Sequence, residues 1–487
     1  LLNWIKSFWN SSAQTASPEV MQALRLIRAR YDAAVTNDQN RRHWANADNL
    51  SANAANSPDV RRLLRNRARY EVANNSYARG IVLTLANDVI GTGPRLQMLT
   101  ENAEVNRQIE QEWMLWSRAI GLPEKLRTLR MSRASDGEGF AKLINNPALS
   151  TQVQLDLQLI EADQVTTPDL FGDEPNALDG IVFDRHGNPV EYHILKQHPG
   201  DPTGTLYDEY SRVPARNIIH YFRQDRAGQG RGIPDITPAL PLFAQLRRYT
   251  LAVITAAEIA ALPGGVLYTD APANGEADSV EPMDIIELER GMLMTMPGGW
   301  KMSQLEAQFP TTTYGEFKRE ILNEIARCLN MPFAISAGNS SGYNYASGRL
   351  DHQTYFKAIR VEQVHLEAVV LDRILNAWMA EALRLPRLRL GRNLDQSSAP
   401  HTWFFDGHEH VDPLKESSAQ ALRLANHTTT YADEYARRGL DWETQLRQRA
   451  KEQQLVTELG LLLPGQSPTP SNEEESDAED RDEREAA

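Results

Sequence analysis

The chain has 487 residues and a formal net charge of −14, from 51 Lys and Arg against 65 Asp and Glu. Its length points to two to four domains. The acidic balance excludes a protein whose whole surface grips nucleic acid, since that surface would have to neutralise phosphates. A hydrophobic fraction of 41% supports an ordinary folded core, and the single cysteine, Cys328, excludes an intrachain disulfide, which suits a reducing compartment.

The first ten residues, LLNWIKSFWN, have scattered aromatics but no unbroken apolar stretch of the signal-peptide kind, and read as an amphipathic contact segment. The longest apolar runs, such as 251–263, are too short to span a bilayer. From about 17 to 120 the sequence reads as helical. Ser17 and Pro18 suit a helix start, and Met21, Leu24, Ile27 and Tyr31 follow at helical spacing. A polar Asn/Ala stretch, 46–57, precedes helices predicted near 58–72 and 75–90, the second stopped by Gly91-Thr92-Gly93-Pro94. Arg61, Arg62, Arg65, Arg67 and Arg69 make this stretch basic. They are candidates for contact with DNA or an acidic neighbour, the plainer reading being a charged helix face.

Between about 130 and 225 the period changes. VQLDLQLI (153–160) alternates as a half-buried strand does, IVFDRHGNPVEYHIL (181–195) reads as two strands around a Gly-Asn turn, and NIIHYF (217–222) as another. The body is therefore expected to be α+β rather than a βαβ series. Thr237 and Pro238 open a long helix that Pro263-Gly264-Gly265 ends; a short β-leaning module follows over about 264–311. A second helix, about 313–330, carries Phe317, Ile321, Ile325 and Leu329 on one face, so the module sits between two helices able to pair antiparallel. Glu316, Glu320 and Glu324 recur at i, i+4 on that helix and share a face. Taken alone, that is a plain solvated helix face.

Met331-Pro332 breaks the helix. Asn339, Ser340, Ser341, Gly342, Tyr343, Asn344 and Tyr345 then form a polar, aromatic loop, either an ordinary connection or an adaptable element touching a ligand. A very long helical pattern, 346–384, would span roughly 50–60 Å. Further helices start at Asp412-Pro413, at 428–430 and at Asp441, the last ending at Gly460. The stretch 464–487 is expected to be disordered, its last 17 residues holding nine acidic and two basic side chains.

No motif for catalysis or a cofactor stands out. The phosphate-cradling Gly-x-x-x-x-Gly-Lys-Ser/Thr loop is absent. Gly228, Gly230 and Gly232 lack its lysine and read as a structural turn. His408, Glu409, His410 and Asp412 have no partner cluster at metal spacing and read as a surface loop. Asp136 and Glu138 bracket a glycine; paired carboxylates serve two-metal nucleases, but no supporting lysine is recognisable. Cys328 reads as a buried structural thiol.

Taken together, RARYDAAVTNDQNRRHW (28–44), RNRARYEVANNSYARGIVLTLANDVIGTGPRLQ (65–97), LIEADQV (159–165), GIVFDRHGNPVEYHI (180–194), VPARNIIHYFRQDRAGQGRGIP (213–234), FKREILNEIARCLNMPFAISAGNSSGYNYASGR (317–349) and VDPLKESSAQALRL (411–424) resemble, in order and spacing, the lambda family of phage portal proteins over about 20–460. The departure is the loop, with Tyr343 and Tyr345 around Asn344. The resemblance implies a portal-like α+β fold assembled as a ring, with a mostly helical wing and crown, a two-helix stem and a small β-rich clip. Mapped here, it gives an N-terminal arm and wing over 1–235, stem helices at 236–263 and 312–331, a clip at 264–311 and a tunnel loop at 332–346. The long helix and the rest of the wing take 347–410, and crown helices 411–463. It implies a non-enzymatic conduit for double-stranded DNA at one capsid vertex, in a ring of about twelve copies, with the Glu316, Glu320 and Glu324 face of the second stem helix looking toward the channel or a neighbouring copy. Implied partners are the terminase, the major capsid protein, a scaffold and a head-completion adaptor, with no cofactor and no membrane. The implied location is the virion, with host cytoplasm during assembly. The alternatives are another head-assembly connector or adaptor, and a metal-dependent packaging nuclease.

Overall fold

The computed structural model describes residues 37–167, 176–202, 209–261, 265–269, 300–304, 313–342, 344–386, 400–407 and 413–460. It forms two units, Leu1–Ala55 and Asn56–Ala487. In the first, the Asn37 side chain accepts from the Gln39 and Asn40 amides and one helical turn spans Ala52–Ala55. The amphipathic segment of the first ten residues, the helix expected from Ser17 and the acidic tail lie outside the described residues.

The larger unit is α+β. Helix α1 (Pro58–Asn74) starts where the Ser57 side chain accepts from the Val60 amide and Pro58 takes the first turn. Asn75 closes α1 and caps α2 (Ser76–Ile90). Gly91 stops α2 at φ +60, in a spot where a Cβ would collide with the Asp406 side chain. A short strand β1 (Arg95–Met98), not expected from the sequence, follows and pairs antiparallel with the distant β11 (His401–Phe404). Two helices, α3 (Ala103–Ala119) and α4 (Leu122–Asp136), then carry the helical region past its expected end.

Gly137, at φ +90, turns α4 into β2 (Glu138–Asn145); its Cα packs on the Ile233 backbone, so no side chain fits there. The strand β2 is the centre of an antiparallel sheet in the order β3–β2–β8, with β3 at Leu155–Ile160 and β8 at Ile218–Phe222. A second antiparallel sheet runs β4 (Ala177–Leu178), β5 (Ile181–Phe183), β6 (Pro189–Leu195), β7 (Tyr210–Pro214). The expected turn between β5 and β6 is present, with Gly187 at φ +83. Phe140, Ile160, Ile181, Tyr192 and Ile218 fill the space between the two sheets.

A turn at Thr237–Ala239 leads into α5 (Leu240–Ala261). The strands β9 (Gly265–Thr269) and β10 (Trp300–Gln304) pair antiparallel, and α6 (Thr313–Arg327) returns. After the short α7 (Phe333–Ala337), the long helix runs as α8 (Tyr345–Leu366), a wide π turn (Glu367–Leu371) and α9 (Asp372–Ala382). It returns to the main core, where Trp378 meets Trp113 at a centroid distance of 5.7 Å and Trp403 meets Trp113 at 5.4 Å. The described residues end in α10 (Pro413–Ala425), α11 (Tyr431–Ala436, capped by Thr430) and α12 (Trp442–Glu458, capped by Asp441). No described helix is long and apolar enough to cross a membrane.

Candidate functional site

The α5/α6 pair is anchored at one end and bare at the other. Leu240, Phe243 and Leu246 are buried in the first turns of α5, while Leu251 and Ile254, further along, are exposed. On α6, Leu322, Ile325 and Ala326 are buried near its end. The Tyr249 ring meets that of Phe317 at 4.8 Å, and the Tyr314 hydroxyl donates to Thr250 Oγ1 at 3.5 Å. At the other end, burial pushes the Cys328 thiol up to about 11, with a further push from nearby Asp235, which precedes α5. The two helices therefore run antiparallel, with the β9/β10 pair at the end remote from the body. Cys328 is half-buried and so less enclosed than expected.

Glu316, Glu320 and Glu324 are all exposed, and none forms an ion pair with a described residue, even with Arg319 or Arg327 on the same helix. The loop after α6 is shorter than expected, because α7 occupies its start. Gly338 closes α7 at φ +61. Asn339, Ser340, Ser341, Gly342 and Asn344 are exposed. The Asn339 side chain accepts from the Ser341 amide at 2.9 Å, and Asn344 caps α8 by accepting from the Ser347 amide at 2.8 Å. Tyr343 lies outside the described residues, and Tyr345 is the first residue of α8.

The arginine series does not form one surface patch. Arg61 and Arg65 are buried, Arg69 is half-buried, and Arg62 and Arg67 are exposed. Arg61 pairs with Asp179, Arg65 with Asp163 at 2.6 Å, and Arg69 with Asp136 at 2.7 Å and Asp163 at 2.8 Å. Inward guanidinium groups require such partners, because an unpaired buried charge is costly. The outward basic face of α1 thus reduces to Arg62, itself paired with Asp59, and Arg67.

Asp136 and Glu138 are likewise committed. Glu138 is fully buried and accepts from Arg231 Nη2 at 2.6 Å, His220 Nε2 at 3.0 Å and the Gly232 amide at 3.0 Å. Burial alone would raise its carboxyl, but the Arg231 guanidinium and the His220 hydrogen bond hold it well below the ordinary range. Burial raises the Asp136 carboxyl despite Arg69. The loop of Gly228, Gly230 and Gly232 delivers Arg231 to this place: a Cβ on Gly232 would lie 2.0 Å from the Gly137 carbonyl oxygen. It is a structural turn. A parallel hub joins Arg130 and Arg133 of α4 to Asp235 and to Glu362 of α8, with Arg130 and Arg133 each 3.0 Å from Glu362. Sequence reasoning missed both clusters. The signal available was an arginine set among close glycines, GQGRGIP.

Among the described residues, Glu161, Asp163 and His198 stand close enough to hold a cation. Arg69 already bridges the two carboxylates, at 3.2 and 2.8 Å, so an ion would have to displace it. The stretch 408–412 lies outside the described residues.

The family model described as "Phage portal protein, lambda family" matches residues 38–363. The "Probable portal protein" of Halomonas phage phiHAP-1 is 24% identical over 428 residues, covering 82% of this chain and 82% of the relative. "Portal protein B" of Escherichia phage lambda is 20% identical over 486 residues, covering 87% of this chain and 89% of the relative. A solved chain from "Neck of empty GTA particle computed with C6 symmetry" is 15% identical, with a TM-score of 0.48 over 76% of this chain and 92% of that one. The family match takes in both sheets, the α5/α6 pair and the loop after it, and spans more than half of the 487 residues: the chain belongs to the lambda family of phage portal proteins.

Proposed function

We propose that copies of this chain close into a ring, a collar of about twelve, through whose bore double-stranded DNA is packaged and later ejected. The observation that carries this reading is the antiparallel α5/α6 pair. It bears a β pair at its remote end and, at its root, an exposed loop leading into the long α8. On this reading the pair is the stem, β9/β10 belongs to the clip, residues 338–342 and 344 face the tunnel, and α10–α12 form the crown. The two-sheet body with α1–α4 and α8–α9 is the wing.

A conduit must let a polyanion pass without holding it, since each basic contact displaces counterions and slows transit. The described loop residues suit that task. Asn339, Ser340, Ser341 and Gly342 are exposed, small and uncharged. The role is structural rather than enzymatic. In support, the paired carboxylates Asp136 and Glu138 are occupied by Arg69 and Arg231. On the same reading the ring sits at a capsid vertex in the virion after assembly in host cytoplasm. There it meets the terminase, the major capsid protein, a scaffold and a head-completion adaptor.

Electron microscopy of the purified protein tests the proposal. The expected image is a ring with a central hole wide enough for a duplex. A chain that stays monomeric at high concentration, or a closed disc without a bore, overturns it.

A further inference from the structure

Two exposed stripes at helical spacing meet on one side of the body. On α1, Leu63, Arg67 and Tyr70 stand at i, i+4, i+7; Leu63 is 49% and Tyr70 56% exposed. On α5, Arg247, Leu251 and Ile254 repeat the same spacing, with Leu251 56% and Ile254 48% exposed. The Arg247 guanidinium lies over the Tyr70 ring at 5.7 Å, and its Nη1 donates to the Tyr70 hydroxyl at 3.3 Å, so the stripes join into one surface. This surface is apolar and basic. Neither Arg67 nor Arg247 has a carboxylate partner among the described residues.

A second surface lies on α6. Phe317, Glu320 and Glu324 stand at i, i+3, i+7, with Glu316 beside them, and Phe317 is 48% exposed. It is apolar and acidic, its three carboxylates are unpaired among the described residues, and Arg319 and Arg327 border it. The seam of the helix pair uses Tyr249, Tyr314 and the edge of Phe317 that meets Tyr249, leaving the rest of the Phe317 ring exposed. On α5, Arg247 and Leu251 lie on the side away from Tyr249, and on α6 Glu316 and Glu320 turn away from Tyr314, with Glu324 continuing that stripe beside Phe317. The two surfaces therefore belong to different flanks of one subunit.

We propose that the Glu316–Phe317–Glu320–Glu324 surface of one copy docks on the Leu63–Arg67–Tyr70–Arg247–Leu251–Ile254 surface of the next. The inference rests on the ring reading and names the contact that closes it. Complementary patches on different flanks make a head-to-tail interface, the kind that generates closed rings. The aromatic and arginine content matches what carries energy at protein contacts. The charges fix partner and register, and repel a wrong pairing of like flanks. It follows that the glutamates face a neighbour rather than the bore.

The test is a charge swap. One variant carries Glu316→Lys, Glu320→Lys and Glu324→Lys; the other carries Arg67→Glu and Arg247→Glu. Each alone then presents like charges on both flanks. At a concentration where the unaltered chain is fully in rings, the ring fraction of each should fall at least tenfold, by sedimentation velocity and electron microscopy. An equimolar mixture pairs opposite charges at every contact, and rings should return with the variants alternating. If both variants form rings alone, or if folded variants fail to form rings when mixed, the docking inference is wrong and the ring reading stands. If the unaltered chain never forms rings, both readings fall. Folding is checked by far-ultraviolet circular dichroism and thermal melting. Where a set melts early, Glu320→Lys and Arg67→Glu alone replace it in the same mixing experiment.

Discussion

Glu138 keeps its charge with no surface exposed, because every direction around it is answered by a donor. Arg231 and the Gly232 amide approach from the glycine loop and His220 from β8. Burial lowers the proton affinity of His220, so the imidazole stays neutral near pH 7 and the net pair is Glu138 with Arg231. Removing one partner leaves the other charge buried and less well compensated, with Asp179 at 3.2 Å from Arg231 and Arg65 at 3.6 Å from Glu138 as the remaining counter-charges. Glu138→Gln should therefore destabilise the fold by about 3–5 kcal/mol at pH 7 in urea unfolding. Combining it with Arg231→Met should cost less than the two single losses summed. The carboxyl's folded proton affinity is depressed, so its stabilising contribution is present above the unfolded value of about 4.3 and disappears as pH falls through the folded one. The stability gap between the unaltered chain and Glu138→Gln should accordingly close on acidification; a gap that is unchanged at pH 3 contradicts this account. None of this was readable from sequence spacing. Arg61 and Arg65 look like surface charges in a basic run, because their partners Asp179 and Asp163 come from about 100 residues further on.

Elements with local signals were legible. Thr430 and Asp441 cap the helices they were expected to start, the helix predicted near 58–72 became α1, and the alternation in 153–160 became β3. Where the cue was non-local, the reading ran short. The strand β1 exists because β11, some 300 residues later, pairs with it. In α4 the buried side includes Arg130 and Arg133, so its apolar stripe is interrupted and its polar residues mask a core helix. The same non-local logic ties the start of α12 to the body. The Gln97 amide donates to Asp441 Oδ1 at 2.7 Å, and Arg95 donates to the Gly439 carbonyl at 2.8 Å. Beside them, Glu110 accepts from the Met98 amide at 2.7 Å. Burial pushes Glu110 up to about 7, Asp441 and Glu443 add to the push, and the Met98 amide and Arg107 oppose it. For an acid raised in this way, the folded state holds the extra proton between about 4.3 and 7, so stability falls as pH rises across that window. The melting temperature of the unaltered chain should drop relative to Glu110→Gln between pH 5 and pH 8. Parallel curves for the two proteins would show that Glu110 does not strain this junction.

At the scale of the molecule, the body is built from two stretches of chain separated by the α5–α6 excursion. Helices α8 and α9 return to complete a core begun by α2, α3 and α4. Tyr355 donates to Asp88 Oδ2 at 2.7 Å, Gln363 to the Val89 carbonyl at 3.3 Å, and Trp378 sits fully buried against Trp113. Glu362 of α8 also neutralises Arg130 and Arg133 of α4, which otherwise share Asp235 at the root of α5. The long helix is thus both a wall of the core and the continuation of the exposed loop, which fixes where that loop stands relative to the stem. Two consequences separate this account from a string of independent modules. Trp378→Ala should cost about 3–5 kcal/mol through the cavity it leaves. It should lower a single unfolding transition seen equally by probes in α3 and in α9. A chain ending at residue 342 should show no cooperative transition, because α2 and α4 lose their apolar cover and two buried arginines lose a carboxylate. If that shorter chain instead melts sharply, the body before the excursion is a domain in its own right, and α8–α9 only lie upon it.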